Sequence, residues 1–271
     1  MQQFRRILVG IDCGNGSDPI SSDVSASTRS AVDKVIWLAQ HTSAEVTFLS
    51  SLLPCLDLTP AMWQLAEMQE YQATIDSIHA NCQETMAALV DEARSAGINA
   101  RELRTSGKAW LELLREAVTG NYDLIIVGSH QQHAMGRLLL GNTGRRLVRK
   151  SPCPVWVTSP VEDGQVRRIL VPTDFTDTAD QAIKLAHTLA QRLEADLHVL
   201  HSMEFHFEPQ MRDLIISLNG VDEHRSQLHA DASRELNQVV SRCGLDHAIA
   251  LDHRHIAEGP ADAMIHNAVT E

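Results

Sequence analysis

Short apolar runs alternate along the chain with longer segments in which apolar residues recur at helical spacing. Ile7–Asp12 is a β-rich apolar run, and Glu45–Leu53 and Asp123–Val127 share its character. Thr59–Ala96 has apolar residues three or four positions apart, which predicts an amphipathic helix, and Gly97 supplies a C-terminal stop. Strands that alternate with helices pair in parallel through right-handed crossovers. The pattern therefore predicts an α/β fold with a doubly wound parallel sheet.

The remaining elements follow from the same two periodicities. The other predicted strands are Ile98–Leu103, Pro154–Thr158, Ile169–Asp174, Asp196–His201 and Ala248–His253. The other helical segments include Lys108–Val118, a helix ending at Arg149, Thr178–Leu193, a region from about Pro209 to Arg242, and Pro260–Val269.

The chain begins twice. Arg5–Asp12 reads RRILVGID and Arg167–Asp174 reads RRILVPTD, while Gly107–Thr119 and Gly259–Thr270 both end in Ala-Val-Thr. The first copy continues through a strand, a glycine loop, a helix and a further strand, whereas the second copy reaches Glu271 without them. We therefore expect two tandem doubly wound domains, at 1–159 and 168–271, joined by a linker at 160–167. The second domain is expected to lack its last two strands.

Composition narrows the class of protein. A chain of 271 residues can form two domains, each with its own core. The net charge of −12 argues against nucleic-acid binding, and no apolar run reaches the ~18 residues of a membrane span. Five scattered cysteines without a Cys-x-x-Cys pair indicate neither a disulfide framework nor a zinc site. The absence of a leader-like N-terminus and the cysteine usage favour a cytoplasmic protein. Together with the charge and the lack of a long apolar run, they predict a protein that binds neither nucleic acid nor membrane.

A glycine-punctuated loop, Gly128–Thr143, links a predicted buried strand to a helix. Glycines let the backbone approach a phosphate, and the free amides at a helix start attract negative charge, with Asn142 or Thr143 as the expected cap. The alternative is an ordinary tight turn followed by a capped helix, since every doubly wound domain turns round in this way.

The starts ILVGID and ILVPTDFT, the strand ends FLSS and HVLHS, and the segment DLIIVGSH…GRLLLGNTGRRLVRKSPCPVWV resemble the universal stress protein (UspA) family. The resemblance covers nearly the whole chain as two tandem copies, the second incomplete. It implies Rossmann-like, adenine nucleotide alpha hydrolase-like domains with five parallel strands. It also implies dimerisation through the last strand, here within Pro154–Thr158, or pairing of the two domains within one chain. Some members of the family bind ATP and others do not.

The nucleotide-binding members carry a glycine, two residues, a second glycine, nine residues, a third glycine and then Ser or Thr. Gly128 and Gly141 match the outer glycines, Gln131 replaces the middle one and Asn142 replaces the hydroxyl residue. A side chain at position 131 would cost backbone strain or occupy space needed by phosphate. His130 lies where a phosphate would pass.

The resemblance also assigns two residues at strand ends in the first copy. Asp12 matches the family acid beside the nucleoside, and Ser51 matches the position whose backbone meets adenine. A local alternative for Asp12 is hydrogen bonding to amides of the following loop. The expected cofactor-binding set of the first domain is Asp12, Ser51, Gly128, His130, Gln131, Gly141, Asn142 and Thr143.

The second copy offers Asp174 without a glycine loop, so a turn-capping role is expected for that acid. The 14 histidines include the pairs His130 and His133, and His253 and His255, the latter expected on one side of a strand. Neither pair comes with a third ligand at a recognisable spacing, so no metal site is predicted. No catalytic constellation is found.

These observations lead to a hypothesis with two alternatives. The chain is expected to be a cytoplasmic stress-response module that senses ATP or another adenine nucleotide through its first domain, or binds protein partners, without metabolic turnover. One alternative is an enzyme with weak ATP hydrolysis. The other is an interaction protein without a ligand, if Gln131 closes the pocket. Assembly as a homo-oligomer or by pairing of the domains within the chain is expected.

Overall fold

The computed structural model describes residues 4–13, 24–52, 69–129, 141–159, 166–204 and 221–270. The chain divides into two compact units, Gln3–Glu162 and Asp163–Glu271, called unit one and unit two below.

Unit one contains a parallel sheet of five strands. Its strands are β1 Arg6–Ile11, β2 Glu45–Leu52, β3 Ala100–Ser106, β4 Leu124–Gly128 and β5 Val155–Thr158. Its described helices are α1 Ala26–Thr42, α2 Gln69–Ser95, α3 Ala109–Thr119 and α4 Asn142–Lys150. The strand order is β3-β2-β1-β4-β5, and every described pair is parallel. The prediction of a doubly wound sheet is confirmed, and the order reverses between β1 and β4.

The core of unit one lies on both faces of this sheet. Leu8 of β1 belongs to a cluster with Leu113 of α3 and Leu147 of α4. Its neighbours along the strand, Ile7 and Val9, are also fully buried. A strand buried on both faces needs continuous apolar character rather than alternation, which explains the uninterrupted apolar run that follows Arg6.

Unit two repeats the opening of unit one. Its strands are β6 Arg168–Pro172, β7 Asp196–Met203 and β8 Arg254–Glu258, and its described helices are α5 Asp177–Leu193, α6 Val221–Arg242 and α7 Ala261–Thr270. The strands form a parallel sheet in the order β6-β7-β8. The expectation of a shorter second domain is confirmed. The starts of the predicted helices Thr59–Ala96 and Pro209–Arg242 lie outside the described residues.

The predicted strand Ala248–His253 is wrong. Leu251–His253 forms a 3-10 helix, and the strand that pairs with β7 is Arg254–Glu258. Ile249 is fully buried but Leu251 is 75% exposed, so the apolar run passes the core and emerges at the surface. The local apolar character of this segment predicts a strand. Its position relative to the core, however, determines which residues pair with β7.

Candidate functional site

A cavity of about 210 Å³ lies in unit one at the carboxyl ends of β1, β2 and β4. This is the point where the strand order reverses, and it is where open α/β sheets bind ligands. The cavity is lined by Gly10, Ile11, Asp12, Cys13, Ser25, Ser27, Thr28, Leu49, Ser50, Ser51, Leu52, Ala109, Leu113, Val127, Gly128 and Thr143.

The structure brings four of the predicted site residues to this cavity: Asp12, Ser51, Gly128 and Thr143. Gly141 and Asn142 immediately precede Thr143 at the start of α4, and the cavity lining does not include them. His130 and Gln131 lie outside the described residues. The lining also includes Ser25, Ser27 and Thr28 from the start of α1, which sequence reasoning did not assign to the site. The Ser-x-x-Thr spacing of a helix start was the signal available for them.

Gly128 has a packing reason for being glycine. A Cβ atom at this position would lie 2.2 Å from the backbone oxygen of Ser27. Ser27 lies in the first turn of α1, which Ser25 caps by accepting a hydrogen bond from the Thr28 amide at 3.2 Å. The first turn of α1 therefore sits directly against the end of β4. A backbone oxygen this close leaves no room for a side chain at position 128, whether or not a ligand binds.

The start of α4 differs from the predicted cap. Gly141 is the N-cap residue and offers no side chain, while Asn142 is the first helical residue. The expectation that Asn142 or Thr143 caps the helix is thus wrong, because the helix begins one residue earlier than that assignment requires. The first turn also contains no acidic residue. A helix start without a capping side chain or an acid presents amide groups and partial positive charge to an incoming anion.

Ser51 is fixed by a hydrogen bond across the sheet. Its hydroxyl donates to the carbonyl oxygen of Gly107 at 2.9 Å, and Gly107 has a φ of +144°. This side chain is therefore engaged by the turn that leads into α3.

Basic residues of α4 contact α3 rather than the cavity. The guanidinium of Arg146 lies 4.9 Å from the ring centroid of Trp110, and the ammonium of Lys150 lies 5.4 Å from it. Cations over an aromatic face stabilise the packing of two helices. This contact links the helix that starts at the cavity to a helix that lines it.

Unit two has a cavity of about 690 Å³ at the equivalent strand ends. Within the described residues of unit two, nothing corresponds to α4. Asp174 accepts hydrogen bonds from the Thr176 hydroxyl at 2.6 Å and the Thr176 amide at 3.2 Å. These bonds hold the pKa of the Asp174 carboxyl below its usual value. The structure gives Asp174 the local turn-capping role that the sequence indicates.

Histidines cluster on β7 and β8 of unit two. His198 Nδ1 lies 3.0 Å from His255 Nε2, and the His198 ring stacks on His253 with centroids 4.0 Å apart. His253 belongs to the 3-10 helix and not to β8. His253 and His255, which were expected on one side of a strand, therefore both contact His198. Among the described residues, no group of three or more His, Cys, Asp or Glu side chains is arranged to hold a metal ion. None of the helices in the described ranges has the length and apolar character needed to cross a membrane.

Comparison with known proteins identifies the family to which this chain belongs. The model of the universal stress protein family matches residues 3–159 and again 165–271. The chain therefore belongs to the universal stress protein family, as a member with two tandem copies.

Related proteins agree with this assignment. Universal stress protein E of Photorhabdus laumondii subsp. laumondii is 22% identical over 158 residues, which cover 58% of this chain and 46% of that protein. The match thus spans less than half the length of that curated relative.

Solved structures share the fold. A universal stress protein from Archaeoglobus fulgidus DSM 4304 aligns with a TM-score of 0.59 at 18% identity, covering 98% of this chain and 82% of that one. A protein from Pseudomonas aeruginosa UCBPP-PA14, described as a universal stress protein, aligns with a TM-score of 0.64 at 18% identity, covering 98% and 78%. Two universal stress proteins, one in complex with cAMP and one from Arabidopsis thaliana with AMP bound, align at TM-scores of 0.40 and 0.43. Those two scores are too low to support an argument about this site.

Proposed function

We propose that this universal stress protein is a cytoplasmic signalling module that binds an adenine nucleotide in unit one and passes its nucleotide state to protein partners. The observation that carries the proposal is the unit-one cavity at the point of strand-order reversal, which Asp12, Ser51, Gly128 and Thr143 line together. The nucleoside would lie near Asp12 and Ser51. The phosphates would lie toward the start of α4.

The lining of the cavity supports this placement. The unit-one cavity, about 210 Å³, is below the about 300–1,000 Å³ common for small-molecule sites and accommodates only the nucleoside portion of the ligand, whereas the unit-two cavity, about 690 Å³, lacks a counterpart of α4 within the described residues. Leu49, Leu113 and Val127 supply apolar walls for a base, while Asp12 supplies an acceptor for ribose hydroxyls. The phosphates would meet the amides of Asn142 and Thr143, in a first helical turn that carries no acidic residue.

Calorimetric titration with ATP and with AMP tests the proposal, and the internal repeat supplies a matched control. Asp12→Asn keeps an acceptor oxygen but removes the negative charge of the proposed ribose acceptor, and should weaken binding about two- to thirtyfold, the difference between a charge-assisted hydrogen bond of about 1.5–3 kcal/mol and a neutral one of about 1 kcal/mol. Asp174→Asn changes the equivalent residue of unit two and should leave affinity unchanged. Loss of binding in Asp174→Asn with normal binding in Asp12→Asn would overturn the assignment to unit one.

A third variant separates the remaining alternatives. If the natural protein binds neither nucleotide and Gln131→Gly does, position 131 closes the pocket and the chain is a ligand-free interaction protein. If neither protein binds, the nucleotide proposal is wrong. Phosphate release from ATP by the natural protein, measured in the same samples, would instead support the hydrolytic alternative.

A further inference from the structure

Two cysteines that lie far apart in sequence meet at the wall of the unit-one cavity. Cys13 follows β1 and lines the cavity, while Cys82 is a buried residue of α2. The Cys13 thiol donates to the backbone oxygen of Cys82 at 3.9 Å, which places the two cysteines next to each other. The Cys82 thiol donates to the Ser50 hydroxyl at 3.4 Å. Sequence reasoning missed this pair because 69 residues separate its members.

We propose that Cys13 and Cys82 form a reversible disulfide when the protein meets a peroxide, which makes the pair a redox modification site at the cavity. Both thiols are reduced in this structure. Cys13 is half-buried and borders a cavity, so a molecule the size of hydrogen peroxide can reach it.

The environment of the pair favours ionisation of one thiol. The neighbouring Cys13 side chain lowers the pKa of the Cys82 thiol to about 7, against the opposing effect of burial. The neighbouring Cys82 side chain, with burial, raises the pKa of Cys13. Cys82 is therefore the member of the pair that reaches the thiolate form near neutral pH, the form in which sulfur acts as a nucleophile.

The reaction proceeds in two displacements. In the first, the Cys82 thiolate attacks one oxygen of a peroxide that enters beside Cys13. The O–O bond breaks, Cys82 becomes a sulfenic acid and hydroxide leaves. In the second, that hydroxide takes the proton of Cys13, and the Cys13 sulfur attacks the Cys82 sulfur. The S–O bond breaks, a second hydroxide leaves and the disulfide forms. One peroxide is reduced for each pair of thiols oxidised.

The equivalent place in unit two serves as an internal comparison. Phe175 follows β6 as Cys13 follows β1, and its ring stacks on His201 of β7 with centroids 4.0 Å apart. His201 in turn corresponds to Ser50 of β2 in the aligned strands. Unit two thus has two aromatic rings at the positions where unit one has Cys13 and Ser50, the residues that Cys82 contacts. The disulfide is accordingly expected in unit one alone.

Peptide mapping of the full chain after treatment with hydrogen peroxide tests the proposal without any substitution. Trypsin leaves Cys55 and Cys82 on one peptide, so a glutamate-specific protease is needed, because Glu67 and Glu70 lie between them. The expected product is a peptide pair joined through Cys13 and Cys82, absent after treatment with dithiothreitol. A disulfide from Cys13 to Cys55, or oxidation of Cys13 to sulfinic acid without a cross-link, would overturn it.

Substitutions then test the order of the steps. In Cys13→Ser, the sulfenic acid on Cys82 has no partner, so labelling of Cys82 by dimedone, added with denaturant after the peroxide is removed, should rise at least severalfold over the natural protein. Cys243→Ser is the control, because burial raises the pKa of the Cys243 thiol and it lies in unit two. This variant should form the Cys13–Cys82 disulfide at the natural rate. Unchanged dimedone labelling in Cys13→Ser would contradict the role of Cys13 as the second thiol of the pair.

Discussion

The hydroxyl of Ser51 donates a hydrogen bond to the carbonyl oxygen of Gly107 at 2.9 Å, and unit two repeats the contact between Ser202 and Gly259 at 2.6 Å. Both glycines have positive φ, +144° and +137°. In each unit, the bond ties the end of the second strand to the turn before the next helix. The repeated structure therefore extends to the strand ends at which ligands bind in this fold.

Because the contact is repeated, alanine substitutions of Ser51 and Ser202 should have similar effects on stability, each confined to its own unit. Ser51→Ala and Ser202→Ala should each destabilise their own unit by about 1 kcal/mol, the usual worth of a neutral hydrogen bond. All four tryptophans lie in unit one, so tryptophan fluorescence during urea unfolding reports that unit. Ser51→Ala should shift the fluorescence midpoint, whereas Ser202→Ala should leave it unchanged and speed amide exchange in β7. A midpoint shift in both variants would argue against independent contacts.

Gly128→Ala should destabilise unit one strongly. Its Cβ would meet the Ser27 backbone oxygen at 2.2 Å, and overpacking of this kind costs about 1–3 kcal/mol. Gly10→Ala is the matched comparison, because its Cβ would meet side-chain atoms of Val127 and Leu113 at 2.9 and 3.0 Å, which can move aside. Thermal unfolding followed by tryptophan fluorescence should show a larger loss for Gly128→Ala. The reverse order would contradict the packing explanation of Gly128.

The pH dependence of unit two should report the Asp180–Arg242 pair. Arg242 donates to both carboxylate oxygens of Asp180, at 2.6 and 2.9 Å, and this contact lowers the pKa of the Asp180 carboxyl. A carboxyl whose pKa is lower in the folded protein than in the unfolded chain stabilises the folded state. This stabilisation is fully present above the unfolded pKa of about 3.9 and is lost as the pH falls through the pKa of the folded protein. Asp180→Asn should therefore lower the midpoint of urea unfolding at pH 7 and at pH 5. Circular dichroism follows the unfolding. The difference from the natural protein should shrink below about pH 3. A difference that grows on acidification would contradict the assignment.

Self-association should occur through the edge strand β5. The Ile125 amide donates to the Pro154 carbonyl and the Ser129 amide donates to the Thr158 carbonyl, so alternate residues of β5 bond to β4. Val155 and Val157 therefore direct their amides away from β4, and an exposed edge invites pairing with another chain. We expect concentration-dependent association of the natural protein in equilibrium sedimentation.

Val155→Pro should weaken that association, because proline removes an outward amide and is tolerated at the first residue of a strand. Val155→Ala is the control, since it shortens the side chain to a methyl group but keeps the backbone amide. A natural protein that remains monomeric at high concentration, or equal association of both variants, would exclude β5 as the contact.

The sequence predicted the architecture well because the apolar patterns of a doubly wound sheet are local. The uninterrupted run after Arg6 requires burial on both faces, and the repeat of RRILV at Arg167 predicted the second unit directly. The register of β8 was not predictable, since it depends on where Ile249 enters the core. The pairing of Cys13 with Cys82 and the contact of Gly128 with Ser27 also escaped prediction, because both depend on helices that pack against strand ends.

A crystal structure of the full chain grown with ATP would show which unit binds nucleotide. We expect a base and ribose beside Asp12 and Ser51 and phosphates at the amides of Asn142 and Thr143, with no nucleotide beside Asp174. Nucleotide beside Asp174 with the unit-one cavity empty would contradict it.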